Sequence, residues 1–178
     1  DDLTGQLTTA KGIVRKLAAP AIRTSQGLSD GSQWDVAAVR PSGQYREYQG
    51  KNFTMSYPDN WEVFGEQQGQ TVTFAPRAGL VQSQGGVGIG YGAMMSLYEP
   101  DGTSIDLQRD THDLIQRLQQ QNKSMRETKA GTVTRIDGIE SILTTLTSKS
   151  PFQGQTEKDF LLTAPRPQGL FYIVFIAP

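Results

Sequence analysis

The stretch GGVGIGYG, residues 85–92, is the segment that comes closest to a cofactor-binding motif. Gly88, Gly90 and Ala93 satisfy the spacing of dinucleotide-binding loops, in which the phosphates lie at the N-terminus of a helix. Here the glycines are followed by AMMSLYEPDG, which continues an alternation of apolar residues and ends in a proline and an Asp-Gly turn. Because the sequence predicts no helix after the glycines, we exclude a phosphate-binding loop and expect no cofactor.

His112 is the only histidine, and the chain contains no cysteine. The lack of cysteine excludes disulfides, thiol nucleophiles and thiolate metal sites. A zinc peptidase motif, H-E-x-x-H, needs two histidines on one face of a helix, whereas this chain reads HDLIQ, with Gln116 at the second position. We therefore predict no zinc site, and we expect His112 on the solvent side of its helix.

Other catalytic arrangements are equally incomplete. The motifs G-x-S-x-G and S-x-x-K are absent, and a catalytic triad would need a buried, oriented His112. A cluster of carboxylates could hold a hard cation or act as a glycosidase pair. Its members are Glu99, Asp101, Asp106, Asp110 and Asp113. They surround a turn and the predicted start of a helix, where carboxylates interact favourably with the helix dipole, so we predict no catalytic or metal-binding residue in this chain.

Read with the period of a β-strand, the glycine-rich stretch has one apolar face from Val87 to Leu97 and a second face that carries only glycine at its start. Such a strand indicates curvature, or the close approach of another backbone or a ring. This packing explanation is favoured, and the floor of a ligand or partner groove is the alternative. The loop KSPFQGQT is a second candidate contact surface. The candidate contact residues are Gly88, Gly90, Gly92, Pro151, Phe152 and Gly154.

The overall charge gives no sign of a polyanionic partner. The 178 residues include 17 Lys+Arg and 18 Asp+Glu, a net charge of -1, and the basic residues are scattered along the sequence. We therefore expect neither nucleic acid nor an anionic membrane as a partner. No apolar run reaches the roughly 18 to 20 residues of a membrane-spanning helix, and the first residues lack the features of a signal peptide. Both a cytosolic location and the removal of an export signal stay open.

Five aromatic residues are predicted to lie in the core, because they fall at core positions without interleaved basic residues. They are Phe53, Trp61, Phe74, Phe171 and Phe175.

The chain divides into two parts. Residues 1–44 are predicted to form an N-terminal arm or linker with a marginal helix, because apolar residues recur at helical spacing from Leu3 to Leu17 but Gly5 and Gly12 weaken the helix and Pro20 ends it. Residues 45–178 are predicted to form one α+β domain.

Within that domain the strand and helix patterns are clear. FTMSY and WEVF, joined by PDN, predict a hairpin, and residues 106–121 predict one amphipathic helix capped by Ser104 or Asp106. The final run, GLFYIVFIA, is apolar on both faces and predicts a central strand covered on both sides. We therefore predict a mostly antiparallel sheet of about six strands covered by helices, with the helix at 106–121 on one face and the N-terminal helix or arm on the other.

The stretch KNFTMSYPDNW, residues 51–61, resembles the opening of PsbP-like domains, in which a strand runs into a Tyr-Pro-x-x-Trp turn. The later order is also similar: TVTFAP, a glycine-rich strand, an amphipathic helix, a strand carrying IDG, a long hairpin and FYIVFIAP. The resemblance covers roughly residues 45–178 and implies a PsbP-like α/β/α sandwich.

More narrowly, FAP, the helix DLQRDTHDLIQRLQQQN and the ending LFYIVFIAP resemble the C-terminal extension of bacterial HtpX-like (Ste24p-type) zinc metallopeptidases. This resemblance implies a noncatalytic accessory domain of a periplasmic or secreted bacterial peptidase, which binds substrate or a protein or peptide partner, including the upstream peptidase domain. No catalytic residue carries over, because the second histidine is missing. A standalone extracytoplasmic ligand-binding protein is the alternative, and a hydrolase that uses the acidic cluster is a third class.

Overall fold

The computed structural model describes residues 16–17, 28–50, 53–65, 70–83, 86–102 and 104–178. Two helices and twelve strands occur in these residues, together with a 3-10 turn at Arg77–Gly79. In chain order they are β1 (Lys16–Leu17), α1 (Val36–Val39), β2 (Tyr45–Gln49), β3 (Thr54–Pro58), β4 (Glu62–Phe64), β5 (Val72–Ala75), β6 (Leu80–Ser83), β7 (Gly86–Ile89), β8 (Gly92–Tyr98), α2 (Leu107–Gln121), β9 (Arg126–Ile136), β10 (Ile139–Lys149), β11 (Thr156–Arg166) and β12 (Gly169–Ala177).

A seven-stranded sheet organises the molecule. Its strand order is β4-β5-β8-β12-β11-β10-β9, and every neighbouring pair is antiparallel. The last four strands in the chain are long and follow one another as a meander, with two-residue turns between β9 and β10 and between β11 and β12, and a six-residue loop between β10 and β11. Two smaller sheets, β2-β3 and β1-β7-β6, pack around this sheet.

One face of the large sheet, called the helix face here, carries the main core. Leu114, Ile115 and Leu118 of α2 join Leu161 and Val174 of the sheet in one buried cluster. The small sheet adds its apolar side to the same cluster, through Leu80, Val87 and Ile89. The helix face is therefore covered by α2 and by the β6-β7 ladder together.

The other face of the large sheet, called the hairpin face here, is covered by the β2-β3 hairpin. Tyr48 and Tyr57 of the hairpin contact Phe74 with ring centroids 5.4 and 5.1 Å apart, and Phe53 lies 5.9 Å from Phe171. This second core lies over β4, β5, β8 and part of β12. It does not extend over the part of the hairpin face that carries Leu143, Phe160 and Phe175, which are exposed in the described structure. Nearer the second core, Ser141 and Ala164 lie at hairpin-face positions and are buried.

The amphipathic helix is confirmed at nearly its predicted position. The Asp106 carboxylate accepts a hydrogen bond from the Arg109 backbone N–H at 2.9 Å and so caps α2. At the other end the Asn122 N–H donates to the Leu118 carbonyl at 2.8 Å. The predicted helix forms because its apolar stripe faces the sheet and its first turn is capped.

The predicted fold class is wrong. The structure is mostly β, 52% strand and 16% helical, and is not an α/β/α sandwich with covering helices. A hairpin of aromatic and aliphatic residues occupies the face for which a second helical layer was predicted. An apolar face of a sheet can be buried by a hairpin as well as by a helix, and the apolar pattern of the sheet does not distinguish the two. The marginal helix predicted up to Leu17 lies outside the described residues except for Lys16–Leu17, which form β1.

Two local predictions are also corrected. FTMSY does not pair with WEVF: β3 pairs with β2, whereas β4 enters the large sheet beside β5. The glycine-rich stretch is not one continuous strand either, because β7 ends at Ile89 and β8 begins at Gly92 in a different sheet. The turn between them is held by the Gly79 carbonyl, which accepts hydrogen bonds from the N–H groups of Gly90 and Tyr91 at 2.9 and 3.1 Å.

Candidate functional site

Four of the six sequence-predicted contact residues lie against one another: Gly88 and Gly90 face Pro151 and Phe152. The side of β7 that carries Gly88, together with the turn at Gly90, faces the loop between β10 and β11. A Cβ atom added at Gly90 would lie 2.5 Å from Cε2 of Phe152, and one at Gly88 would lie 3.4 Å from Cβ of Pro151. The Phe152 side chain is almost fully buried, with 1% of its surface exposed. The space that a groove would need above Gly90 is therefore occupied by the chain's own ring.

Gly92 has a different role. Its φ is 154°, and a Cβ atom added there would lie 2.6 Å from the Phe74 carbonyl oxygen and 2.8 Å from the Ala75 Cβ. Glycine at this position lets β8 approach β5 at the point where the chain enters the large sheet.

The loop that carries Pro151 and Phe152 is fixed at several points. The Gln153 N–H donates to the Gly31 carbonyl at 2.8 Å, and the Phe152 N–H donates to the Ser150 hydroxyl at 3.2 Å. The ring of Trp34 lies 5.0 Å from the Phe152 ring. Gly154 lies at the exposed end of the loop with φ of 72°, and a Cβ atom added there would meet nothing within 4 Å. Of the six predicted contact residues, Gly154 thus offers an open surface and Gly92 packs against β5, while the other four pack against one another.

Trp34 belongs to an aromatic row that joins three parts of the chain. Tyr91 lies between Trp34 and Trp61, with ring centroids 5.5 and 5.7 Å away. All three rings are half-buried. The segment around Trp34 is held in place where Ser29 bridges to β6, through the Ser29 N–H to the Leu80 carbonyl at 2.9 Å. The row fixes the turn between β7 and β8.

Members of the acidic cluster form hydrogen bonds and ion pairs with groups on α2 and in the turn before it. The buried Asp110 accepts hydrogen bonds from the Asp106 N–H and from Nε of Arg109, both at 2.8 Å. Asp101 forms an ion pair with Arg117 at 2.9 Å. In the described part of the chain, no group of three or more His, Asp or Glu side chains is arranged to hold a metal ion. His112 is exposed on α2, 2.9 Å from the Gln116 side chain.

A pair of buried carboxylates lies on the helix face of β11, and the sequence analysis did not single it out. Glu157 and Asp159 have none of their surface exposed, and the Ser148 hydroxyl donates to Glu157 at 2.5 Å. The signal was present in the sequence, because both acids share the strand parity of the buried Leu161.

The surface that sequence reasoning missed is the uncovered part of the hairpin face. Leu143 on β10, Phe160 on β11 and Phe175 on β12 are 39%, 40% and 41% exposed. Their register is fixed: Phe160 lies opposite Phe175, and Leu143 lies opposite the half-buried Leu162. These four residues are called the open patch here, and the neighbouring Ile173 on β12 belongs to the second core. The prediction that Phe175 lies in the core is wrong, because the β2-β3 hairpin does not extend over it.

Comparison with known protein families and with characterised proteins finds no match to the chain. Among the residues that the structure describes, no helix has the length and hydrophobicity needed to cross a lipid bilayer.

Proposed function

We propose that this chain is a noncatalytic binding domain and that a protein or peptide partner docks on the open patch. The observation that carries the proposal is the exposure of Leu143, Phe160 and Phe175 on three neighbouring strands. Single exposed apolar side chains are common on protein surfaces, but apolar residues that adjoin one another across strands form a contiguous patch, which is typical of an interaction site.

The two halves of the hairpin face carry similar apolar side chains, and this similarity supports a docking surface on the uncovered half. Over β5 and β8, the apolar side chains of the sheet are covered by the aromatic residues of the β2-β3 hairpin. Over β10, β11 and the end of β12, similar side chains lie without a covering element in the described structure. A docked segment would extend the layer that the hairpin begins, because it would bury the same kind of surface.

The resemblance to the C-terminal extensions of HtpX-like peptidases supports a setting in which this domain is part of a larger peptidase. In that setting the domain holds substrate or a partner for an upstream zinc peptidase domain outside the cytoplasm. The source gene tests the setting directly: an H-E-x-x-H motif upstream in the same reading frame supports it. A signal peptide directly before residue 1 would instead favour a standalone binding protein.

A peptide-display selection on the immobilised chain tests the binding function. Selected peptides are expected to lose affinity when Phe160 or Phe175 is replaced by Asp, because a charge in the patch opposes apolar docking. Val36→Asp is the matched control, since Val36 is 55% exposed and lies on α1. Peptides that bind all three variants as well as the parent chain would contradict the proposal.

A further inference from the structure

The acidic residues of β9 to β12 lie on the helix face of the large sheet, together with one basic residue, Arg135, whereas the hairpin face carries only basic ones. Strands β9 to β12 are described in full, and each residue with a register partner is assigned to the face of that partner, including Lys129, which lies between two irregularities in the β9–β10 pairing. The charged residues at hairpin-face positions are Arg126, Lys129, Lys149, Lys158 and Arg166, and all are basic. The acidic residues of these strands, Glu127, Glu140, Glu157 and Asp159, share the parity of the helix face. The open patch therefore adjoins basic residues alone on its own strands.

The basic residues lie close to the exposed rings. Lys158 is two residues before Phe160 on the same face of β11, a spacing of about 7 Å along a strand. Lys129 lies opposite Thr145, which in turn lies opposite Phe160. Lys149 and Lys158 are both exposed, as is Lys129. Within the part of the chain that the structure describes, none of the three lysines forms an ion pair.

From this arrangement, which rests on the proposed function of the patch, we infer that the partner presents an acidic segment. Its apolar side chains contact Leu143, Phe160 and Phe175, and its carboxylates face the lysines along the edge of the patch. Opposite charge around an apolar centre raises the association rate and selects the partner, while the apolar contacts supply most of the affinity.

The composition of the patch favours a peptide over other polyanions. Leu143 and Leu162 give the patch an aliphatic part beside its two rings, whereas the binding of single-stranded nucleic acid depends on rings that stack on bases. The chain as a whole carries a net charge of -1, so it lacks the strongly positive overall charge that is typical of proteins that bind nucleic acid or an anionic bilayer. A peptide needs only a few carboxylates and buries aliphatic side chains against aliphatic ones.

Two synthetic peptides of equal length, labelled for fluorescence anisotropy, test this inference. One repeats Asp-Leu-Asp-Phe and the other repeats Asn-Leu-Asn-Phe. We expect the acidic peptide to bind the full chain about tenfold more tightly, since each of several exposed ion pairs contributes a little. The difference is expected to shrink as salt rises from about 0.1 M to about 1 M, where the Debye length falls from about 10 Å to about 3 Å.

Variants separate the inference from the function on which it rests. Lys129→Glu with Lys158→Glu is expected to remove the preference for the acidic peptide, and Lys123→Glu, in the exposed turn before β9, is expected to leave it unchanged. Equal binding of both peptides that is lost in Phe160→Ser would overturn the acidic partner and leave the binding function standing. Binding that Phe160→Ser does not change would count against both.

The remaining outcomes also decide the question. Failure of both peptides to bind would overturn the acidic partner, and the display selection would then decide the binding function alone. Tighter binding to a thymidine oligonucleotide or to vesicles of anionic lipid than to the acidic peptide would also overturn the inference, in favour of those partners.

Discussion

The ring of Phe152 lies directly over the bare backbone of Gly90, so closely that a single added methyl group would overlap it, 2.5 Å from Cε2. Gly90→Ala is expected to destabilise the fold by about 1–3 kcal/mol, because an overpacked, buried contact must shift. The free energy of unfolding, measured by urea denaturation, checks this. Gly102→Ala is the control, since its Cβ would meet the flexible end of Arg109 at 3.3 Å and the Ser104 carbonyl oxygen at an ordinary contact distance of 3.6 Å.

The contact between Gly90 and Phe152 also predicts that the effects of substitutions at these two positions on stability are coupled. Phe152→Leu alone is expected to lower stability because it leaves part of a buried space empty. In the double variant with Gly90→Ala, the smaller side chain makes room for the added methyl group, so the loss is expected to be less than the sum of the two single losses. Additive losses would contradict direct packing between these residues and would reopen the groove explanation.

Two neighbouring residues on β11 lie on opposite faces of the sheet. Leu161 is fully buried on the helix face, and Leu161→Ala is expected to cost about 2–5 kcal/mol. Phe160, 40% exposed on the other face, is expected to tolerate Phe160→Ser at a cost of about 1 kcal/mol or less, since much of its surface is already in water. Thermal unfolding of both variants checks this. Equal losses would mean that another part of the chain covers the open patch.

The sequence predicted these strands well and their covering layers poorly. Alternation alone separates Phe160 from Leu161, and the capped apolar stripe of α2 identifies a helix, because both are local patterns. The docking of the β2-β3 hairpin on the hairpin face could not be inferred, because it depends on contacts between residues far apart in the sequence, such as that of Phe53 with Phe171. The missing cover over Phe175 depends on where that hairpin ends.

The candidate site was predictable only in part. The glycines signalled a close approach, and the structure supplies the ring that approaches, Phe152, from a loop about sixty positions away in the sequence. The segregation of Lys129, Lys149 and Lys158 on one face was hidden, because it emerges only when the register of three strands is known.

The buried hydroxyl pair of Thr111 and Thr163 ties α2 to β11, with their oxygens 2.7 Å apart. Thr111→Val is expected to cost about 1–3 kcal/mol, because it leaves a buried hydroxyl with only a long contact, 3.4 Å, to the Ile142 carbonyl. The double variant that also carries Thr163→Val is expected to recover part of the loss, since both polar groups are then gone. A double-mutant cycle by urea denaturation measures the coupling, and a coupling energy of zero would contradict the hydrogen bond.

The structural role of Asp106, a member of the acidic cluster, can be tested through its hydrogen bond at the start of α2. Asp106→Ala is expected to lower stability by about 1 kcal/mol, whereas Asp106→Asn is expected to keep most of it, because an amide oxygen also accepts the Arg109 N–H. Circular dichroism during thermal unfolding measures both. Equal destabilisation by the two variants would show that the negative charge, and not the hydrogen bond, stabilises this end of the helix.

Alkaline pH probes the core under the sheet. Burial raises the pKa of the Tyr172 phenol well above its ordinary value of 10.0, and a hydrogen bond with Ser96 opposes this to a smaller extent. The folded state thus holds the proton more tightly than the unfolded state. The resulting stability is fully present below the ordinary pKa, and it falls as the pH rises above about 10, by up to about 1.4 kcal/mol per pH unit.

Replacing Tyr172 by Phe tests this linkage, because the variant has no phenol to ionise. Stability of the variant is expected to fall less steeply with pH than that of the parent chain, even though it loses the hydrogen bond to Ser96. Some slope should remain, since burial also raises the pKa of Tyr98, an effect that Arg117 partly offsets. Urea denaturation between about pH 9 and pH 11 measures both curves, and parallel curves would contradict a buried, protonated Tyr172.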